Sequence, residues 1–299
     1  MKNIIVITGG AGFVGSNLIE YLLIKEKKIE IISLDNYSTG TKKNHIKDNR
    51  VSYINGDTKN INKILGKYKN KIHICFHFGE FSRIYQSFLK MKECVDSNSI
   101  GTHEVLNFCL ENKIKLIYSA TSASIGNKGE DKNLSPYAFL KAKNLELLEN
   151  LKKWFNFKYE VIFFYNVYGP RQICNGKMAT VVGIFEHHYK NNKPLPVVKP
   201  GTQSRRFTHI QDTVKICFLA WKKNKCKFYS ISSKKSFTVN QLAKLFDHKI
   251  RYLPSRKGER FASALSNLSL SNKIHKYFGN ISLKNYVENF CENIKKQRK

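Results

Sequence analysis

The sequence predicts an α/β protein, built on a doubly wound parallel sheet and completed by a smaller α/β lobe. Two features of the 299-residue chain support this fold class. Short apolar runs alternate with amphipathic stretches through residues 1–165, which is typical of strands linked by crossover helices. A glycine-rich turn follows the first apolar run, at the point where such a sheet begins its first helix.

The elements of the first 165 residues follow one another in strand–helix order. The predicted strands are 4–7, 29–34, 51–54, 72–78, 115–119 and 159–164, and the predicted helices are 13–24, 95–111 and 137–154. Right-handed crossovers between parallel strands place helices on both faces of the sheet. Residues 1–165 are therefore predicted to form a nucleotide-binding domain of the Rossmann type.

The character of the chain changes after residue 165. Loops lengthen, and four prolines fall between residues 170 and 200. We predict helices near 179–189, 239–246 and 281–294 and a strand at 228–231. A segment near 207–226 is expected to return to the first domain, and residues 166–299 otherwise form the smaller, substrate-binding lobe.

Composition narrows the possible classes of protein. Hydrophobic residues make up 41% of the chain, which predicts a packed core. No apolar run approaches the ~18 residues of a membrane span, and the N-terminal apolar run is too short for a signal peptide. Seven cysteines without a Cys-x-x-Cys pair argue against a disulfide framework or a zinc site. A cytoplasmic protein without a metal is expected.

The net charge of +30 allows two interpretations. One is a nucleic-acid partner, and the other is a general enrichment in Lys, Asn and Ile of the kind that AT-rich genomes encode. The lysines are spread along the chain without a basic tail, which favours the second interpretation and makes nucleic acid an unexpected partner. The positive field would still speed the encounter with a dianionic substrate in a salt-dependent way.

A phosphate-binding turn follows the first predicted strand. Gly9, Gly12 and Gly15 are spaced Gly-x-x-Gly-x-x-Gly. In a Rossmann fold the first glycine permits a tight turn, the second lets a pyrophosphate approach the backbone, and the third lets helix and strand pack closely. The free N–H groups at the start of the helix, around Phe13 and Val14, would then face the phosphates.

Polar residues after the next two strands indicate which dinucleotide binds. Asp35 lies twenty residues after the last glycine of the turn, where a carboxylate accepts bonds from the adenosine ribose and repels a 2′-phosphate. NAD is therefore favoured over NADP, although Lys42 and Lys43 weaken the preference. Asn36 is also expected to bind the cofactor. Asp57 either bonds the adenine amino group or caps the next helix.

Tyr137 and Lys141 are one helical turn apart and share a helix face. An ammonium beside a phenol stabilises the phenolate and lowers the tyrosine pKa from ~10 towards neutrality. The phenolate can then take the proton of an alcohol while the carbon delivers hydride to a nicotinamide. Thr121 and Ser122 end the preceding strand, where a hydroxyl can bridge the phenol and the substrate oxygen.

Together these motifs resemble the extended short-chain dehydrogenase/reductase family, in its NAD-dependent nucleotide-sugar epimerase/dehydratase branch and nearest to the UDP-glucose 4-epimerases. The matching segments are Thr8–Gly15, Asn98–Thr102, Tyr118–Thr121, Ser135–Lys141, Asn166–Arg171, Gly201–Asp212 and Arg256–Glu259. The resemblance implies a nucleotide-sugar substrate, most often a UDP-sugar. It also implies a homodimer formed through the helices near 95–111 and 137–154.

The resemblance implies roles for individual residues. Tyr137, Lys141 and Thr121 would be catalytic. The glycine turn, Asp35, Asn36 and Asp57 are already expected to contact the cofactor. The resemblance implies further cofactor contacts at Phe78, Gly79, Asn98, Ser119, Tyr137 and Lys141. The implied substrate contacts are Glu80, Ser122, Asn166, Lys177, Val181, Arg205, Arg256 and Glu259. The two arginines would clamp the diphosphate, and their alternative role is that of solvated surface charges.

Two departures from the family pattern bear on the reaction. Glu80 stands where small residues are usual, and it could contact the substrate, act as an acid or base, or pair with Arg83. Ser122 and Ala123 replace the Asp-Glu pair of the 4,6-dehydratases, without which elimination is slow. We therefore expect a 4-epimerase of a UDP-hexose-like substrate. A net 4-dehydrogenase or ketoreductase is the alternative, and a non-catalytic NAD- or nucleic-acid-binding protein is a remote one.

Overall fold

The computed structural model describes residues 3–124, 131–258 and 274–298. Its strands are β1 (Asn3–Thr8), β2 (Ile29–Asp35), β3 (Val51–Asn55), β4 (Ile72–His77), β5 (Lys115–Thr121), β6 (Tyr159–Phe164), β7 (Val167–Tyr168), β8 (Leu195–Val198), β9 (Ser204–Arg205), β10 (Thr208–His209), β11 (Phe228–Ser232), β12 (Phe237–Thr238), β13 (Ile250–Leu253) and β14 (Ile274–Phe278). Its α-helices are α1 (Phe13–Lys25), α2 (Ile61–Leu65), α3 (Ile84–Leu89), α4 (Met91–Val95), α5 (Thr102–Glu111), α6 (Pro136–Phe155), α7 (Val181–Lys190), α8 (Ile210–Lys223), α9 (Val239–Leu245) and α10 (Leu283–Arg298).

Within the described residues, eight strands form one parallel sheet in the order β14-β11-β6-β5-β4-β1-β2-β3. The order reverses at β1, because the chain runs from β1 outward to β3 and then crosses over to β4 on the other side. This is the doubly wound arrangement that the alternation of strands and helices predicts, and its ligand site lies at the carboxyl edge near the reversal.

Two apolar layers cover the two faces of the sheet. One layer packs the buried faces of α2, α5 and α6 against β4, β5 and β6. The other packs α1 and α8 against β1, β2 and the remaining face of the central strands. Because both faces are covered, the central strands are apolar almost throughout, as parallel strands between helices must be.

The helix that carries the predicted tyrosine has clear start and stop signals. The Ser135 hydroxyl accepts a bond of 3.1 Å from the backbone N–H of Ala138, and Pro136 occupies the first helical position. Asn156 ends the helix in the left-handed conformation, with φ of 52°. These caps fix where α6 begins and so which residues it turns towards the sheet.

The predicted helix at 95–111 is not one regular helix. The structure has α4, then a π-helical stretch at Asp96–Gly101, and then α5. Single π-helical turns inside helices often mark functional sites, because they re-aim a side chain. Here the stretch places Asn98 in the interior of the protein.

The chain beyond residue 165 contributes to both parts of the molecule. Strands β11 and β14 extend the large sheet beyond β6, and α8 packs on α1. A separate core joins α7, β8, α9 and α10. The division at residue 165 remains a prediction, and the return of the chain to the first part takes in β11 and β14 as well as α8. No helix in the described ranges combines the length and apolar character needed to cross a membrane.

Candidate active site

The glycine turn packs against the end of β4. Gly9 has φ of +70°, and a Cβ atom placed on it would lie 2.8 Å from the backbone nitrogen of Gly79. A Cβ atom on Gly15 would lie 2.2 Å from the carbonyl oxygen of Gly9. Side chains are therefore excluded at both positions. None of the described side chains caps the N-terminus of α1, which leaves its first N–H groups available to an anion.

Asp35 lies at the edge of this turn. Its buried carboxylate accepts bonds from the backbone N–H groups of Ala11 (2.9 Å) and Tyr37 (2.8 Å), and burial raises its pKa. These bonds hold the carboxylate beside the cradle that a dinucleotide would fill. Asp57 takes the capping alternative, because its oxygens accept from the Lys59 N–H (2.9 Å) and from Asn36 Nδ2 (3.0 Å).

The predicted catalytic hydroxyls come together at the carboxyl end of β5. Thr121 is the last residue of that strand, and its side chain is hydrogen-bonded to the phenol of Tyr137 on α6. The tyrosine is only 8% exposed. Burial raises the pKa of the phenol to about 12, against a smaller lowering effect of the Thr121 bond.

Lys141 lies one turn further along α6 and is buried with Tyr137. Its ammonium donates to the carboxylate of Glu80 and to the backbone carbonyl of Ser119. The Lys141 Nζ atom also lies 4.6 Å from the centroid of the Tyr118 ring. Burial lowers the pKa of this ammonium, and the charge of Glu80 acts in the opposite direction.

The structure corrects the prediction that Glu80 contacts the substrate. The Glu80 side chain is 3% exposed, and its Oε1 atom accepts bonds from Tyr118 (3.0 Å) and Thr102 (3.1 Å). The alternative pairing with Arg83 is also wrong, because Arg83 instead donates its Nε–H to the carbonyl of Met178 at 2.8 Å. The carboxylate turns inward because Lys141 supplies the opposite charge that a buried carboxylate requires.

The prediction that Asn98 contacts the cofactor is likewise not met. The residue has no exposed surface. Its amide oxygen accepts from the backbone N–H of Phe81 (2.7 Å), and its amide nitrogen donates to the carbonyl of the same residue (2.9 Å). Asn98 therefore holds the loop that follows β4, which carries Glu80 and Arg83.

Sequence reasoning missed two polar residues of this network. His77 joins Thr8 (Nδ1 to Oγ1, 2.7 Å) and Thr102 (Nε2 to Oγ1, 3.1 Å), and burial lowers its pKa to about 4. Asn144 donates to the Tyr118 hydroxyl (3.1 Å) and to the carbonyl of Asn98. Asn144 lies three residues after Lys141, so its position on the buried face of α6 is a signal that could have identified it.

Several predicted contacts lie around the mouth of the site. Phe78, Gly79, Phe13 and Val14 are partly exposed beside the glycine turn, and Ser119 donates its hydroxyl to the carbonyl of His77 at 2.9 Å. Ser122 is buried directly after Thr121. Lys177 is exposed, and Val181 begins α7. The contacts of these residues with a cofactor or a substrate therefore stay predictions.

The residues predicted to bind a diphosphate make contacts with neighbouring residues of the protein. Arg205 is half-buried and donates to the carbonyl of Ser204 at 2.8 Å. The Arg256 guanidinium carbon lies 5.2 Å from the centroid of the Tyr85 ring on α3, which brings the loop after β13 next to the first domain. Asn166 is exposed and donates to the carbonyl of Arg206 at 3.0 Å. Glu259 lies outside the described residues.

A cradle for a dinucleotide next to a Thr–Tyr–Lys set, with the tyrosine and the lysine buried, is characteristic of enzymes that move hydride between an alcohol and a nicotinamide. Comparison with known proteins agrees with this class. The family model for the NAD dependent epimerase/dehydratase family matches residues 5–231, and the chain belongs to that family. NAD is accordingly the cofactor of this enzyme.

Individual relatives are similar over nearly the whole chain. A provisionally named UDP-glucose 4-epimerase of Methanocaldococcus jannaschii is 26% identical over 262 residues, which is 83% of each protein. The UDP-N-acetylglucosamine 4-epimerase of Methanobrevibacter ruminantium is 25% identical with a TM-score of 0.80, over 99% of this chain and 98% of that one. The UDP-glucuronic acid 4-epimerase of Bacillus cereus is 25% identical with a TM-score of 0.84, over 98% and 99%.

Proposed function

We propose that the protein is a 4-epimerase of a UDP-hexose-like nucleotide sugar. The observation that carries the proposal is the meeting of Thr121, Tyr137 and Lys141 at the carboxyl edge of the sheet, beside the glycine turn. The names of the relatives support the choice of reaction, because they include 4-epimerases of three different UDP-sugars.

The glycine turn and Asp35 would hold NAD by its diphosphate and adenosine ribose. When bound, NAD would accept a hydride from C4 of the sugar and return it after the sugar has turned. Tyr137 supplies the matching proton transfer: its oxygen takes the C4 hydroxyl proton as the carbonyl forms and gives it back as the hydroxyl re-forms. The side chain of Thr121, bonded to the phenol, would orient it towards the same sugar oxygen.

The nucleotide part of the substrate would be held by the second lobe. We assign the diphosphate to Arg205 and Arg256 and place Asn166, Lys177 and Val181 around it. A planar guanidinium suits a diphosphate because it donates two parallel bonds. Binding energy from the nucleotide would retain the 4-keto sugar while it rotates, which separates an epimerase from an enzyme that releases the keto product.

A dehydratase is the less favoured reaction. The two residues after Thr121 are Ser122 and Ala123, and both are buried in a short 3₁₀ turn. Neither can act as an acid or a base at neutral pH, so the elimination of the C6 hydroxyl lacks a proton donor at this position. The net 4-dehydrogenase or ketoreductase remains the second candidate, since it would use the same three side chains.

The test is to incubate the purified enzyme with UDP-glucose, UDP-N-acetylglucosamine and UDP-glucuronic acid, without added NAD. A C4-inverted product without net NADH supports the epimerase. Stoichiometric NADH with a keto product supports the dehydrogenase, and no conversion of any nucleotide sugar contradicts both.

Tyr137→Phe is the matched test of the catalytic assignment. Removing the hydroxyl is expected to lower kcat by about 10²–10⁴-fold, because the proton transfer is lost, while nucleotide binding is kept. Tyr252→Phe is the control, since that tyrosine is half exposed and its hydroxyl donates to Asn240, away from the Thr121, Tyr137 and Lys141 set. Equal rates for Tyr137→Phe and the control would show that the phenol does not act in the reaction.

A homodimer formed through α5 and α6 is also proposed. Large apolar side chains on or next to these helices are exposed, namely Ile100, Phe139 and Trp154. Such side chains on neighbouring helices suit a self-complementary interface.

A cytoplasmic location remains a prediction of the sequence. All seven cysteines lie within the described ranges and are free of disulfides.

A further inference from the structure

Arg83 is a cation near the proposed catalytic tyrosine, at the end of the loop that leads into α3. It is partly buried, its Nε–H donates to the carbonyl of Met178 at 2.8 Å, and its Nη1 donates to the carbonyl of Ser82 at 2.9 Å. Its charge opposes the rise that burial causes in the pKa of the Tyr137 phenol. The guanidinium therefore lies close enough to the phenol for the two groups to interact electrostatically.

Two hydrogen bonds hold α3, and with it Arg83, against the start of α6. The backbone N–H of Tyr137 donates to the Ser87 hydroxyl at 3.3 Å, and the backbone N–H of Ser87 donates to the carbonyl of Arg83 at 3.2 Å. The bond to Met178 holds the guanidinium at the segment that leads into α7. Lys177, which is assigned to the substrate, lies in the same segment. Arg83 is thus placed between the phenol and a segment of the proposed substrate site.

The charge of Arg83 has no carboxylate partner within the described ranges of the chain. Removing a cation from water costs free energy unless an opposite charge or strong hydrogen bonds replace the water. Two other largely buried cations have such a partner, since Lys141 pairs with Glu80 and Lys115 pairs with Glu160. The counter-charge of Arg83 is therefore expected to come from an anionic ligand.

The remaining donors of the guanidinium indicate the shape of that ligand. An arginine carries five N–H donors in one plane. Its Nη2 atom makes no hydrogen bond to any of the described residues, so at least two N–H groups can serve a ligand. A carboxylate accepts such donors through its two coplanar oxygens.

We propose that Arg83 is a specificity residue of this site and binds a carboxylate on the sugar, so that the substrate belongs to the nucleotide hexuronic acids. The inference rests on the proposed function, because it names the class of sugar on which the same site acts.

The chemistry of the sugar ring favours this carboxylate over the diphosphate as the partner of Arg83. In a hexuronic acid the carboxylate is attached to C5, next to the C4 whose hydroxyl proton Tyr137 would take. The diphosphate is attached to C1, across the ring from C4, and is assigned to Arg205 and Arg256. A cation near the phenol is therefore expected to meet the substituent on C5.

The experiment measures Kd by calorimetric titration of the NAD-loaded enzyme with UDP-glucuronic acid, UDP-glucose and UDP, in the wild type and three variants. Arg83→Gln is expected to reduce the preference for UDP-glucuronic acid over UDP-glucose by about 10–100-fold, because a charge-assisted hydrogen bond is lost. Arg83→Lys keeps the charge without the planar donors and is expected to retain part of the preference. Lys143→Gln is the matched control, since it removes one exposed cation from the surface of α6. An unchanged preference in Arg83→Gln would overturn the role of Arg83.

A second measurement uses the wild type alone and does not depend on the folding of a variant. The wild type is expected to bind UDP-glucuronic acid at least about tenfold more tightly than UDP-glucose. Equal affinity for the two sugars, or tighter binding of UDP-glucose, would overturn the inference.

The outcomes separate this inference from the proposed function. Equal binding of the two sugars in a wild type that inverts C4 overturns the hexuronic acid alone. A loss in Arg83→Gln that both UDP-sugars and UDP share equally assigns the guanidinium to the diphosphate and also overturns the inference. Selective binding of UDP-glucuronic acid without inversion at C4 contradicts the epimerase alone, and binding of neither UDP-sugar contradicts both.

Discussion

Replacing Gly15 by alanine tests whether the glycine turn is as tightly packed as the structure has it. The added Cβ atom would lie 2.2 Å from the carbonyl oxygen of Gly9 and 2.7 Å from the Cα atom of Gly10. Both distances are far inside the ~3.5–4.0 Å at which non-bonded heavy atoms attract one another. The atoms it meets belong to the backbone, so a side-chain rotation cannot relieve the contact.

The glycine turn must therefore open, which lowers both the stability of the fold and the affinity for NAD. Forcing an extra carbon into a packed region costs about 1–3 kcal/mol, which lowers the melting temperature by about 2–6 °C in a chain of this size. The same movement displaces the backbone that would line the diphosphate. We expect the Kd for NAD to rise at least about tenfold, which corresponds to about 1.4 kcal/mol.

Thermal unfolding followed by circular dichroism and calorimetric titration with NAD measure both effects. Gly66→Ala is the control, because Gly66 has helical backbone angles and, among the described side chains, its added Cβ atom would lie near Asn62 Oδ1 at an ordinary contact distance of 3.7 Å. That substitution is expected to be neutral or to stabilise the fold by about 0.4–1 kcal/mol. Melting temperature and NAD affinity equal to the wild type in Gly15→Ala would refute the packing argument.

Three further predictions concern the cofactor, the pH range and the assembly. Asp35→Ala is expected to weaken NAD binding by about tenfold or more, since the ribose loses a charged acceptor, whereas Asp57→Ala changes it less; calorimetry measures both. Folding stability should fall by about 3 kcal/mol as the pH drops from about 6.5 to about 4, because folded His77 has its pKa lowered to about 4 and the unfolded chain takes up its proton first; urea unfolding of the wild type should show this decline, and His77→Asn should lack it. Trp154→Glu is expected to yield a monomer of 34.6 kDa in light scattering, while Ile24→Glu on α1 keeps the dimer; a monomeric wild type would contradict the interface.

The glycine turn and the strands of the first 165 residues could be predicted because their signals are local. The third glycine and the carboxylate after β2 each depend on neighbours within a few residues or on strand order alone. The resemblance to the family then implied that Thr121, Tyr137 and Lys141 are catalytic, and the structure places these three side chains close together.

The partner of Lys141 could not be predicted in the same way. Glu80 lies 61 residues before it, and a carboxylate after an apolar strand is ordinarily solvated because burial of a lone charge is costly. Only the fold shows that α6 supplies the opposite charge at that point. The buried role of Asn98 and the strands beyond residue 165 depend in the same way on long-range packing, which apolar periodicity does not report.

The addition of β11 and β14 to the large sheet has a consequence for how the protein is made. On a ribosome, β6 is complete well before β11, and its outer edge must wait about 3–14 s at ~5–20 residues per second until residue 232 has been made. During that time a row of unpaired backbone N–H and C=O groups is available to other nascent chains. A gene fragment that stops at residue 165 would make this exposure permanent, so truncation there is expected to yield aggregates instead of a free nucleotide-binding unit.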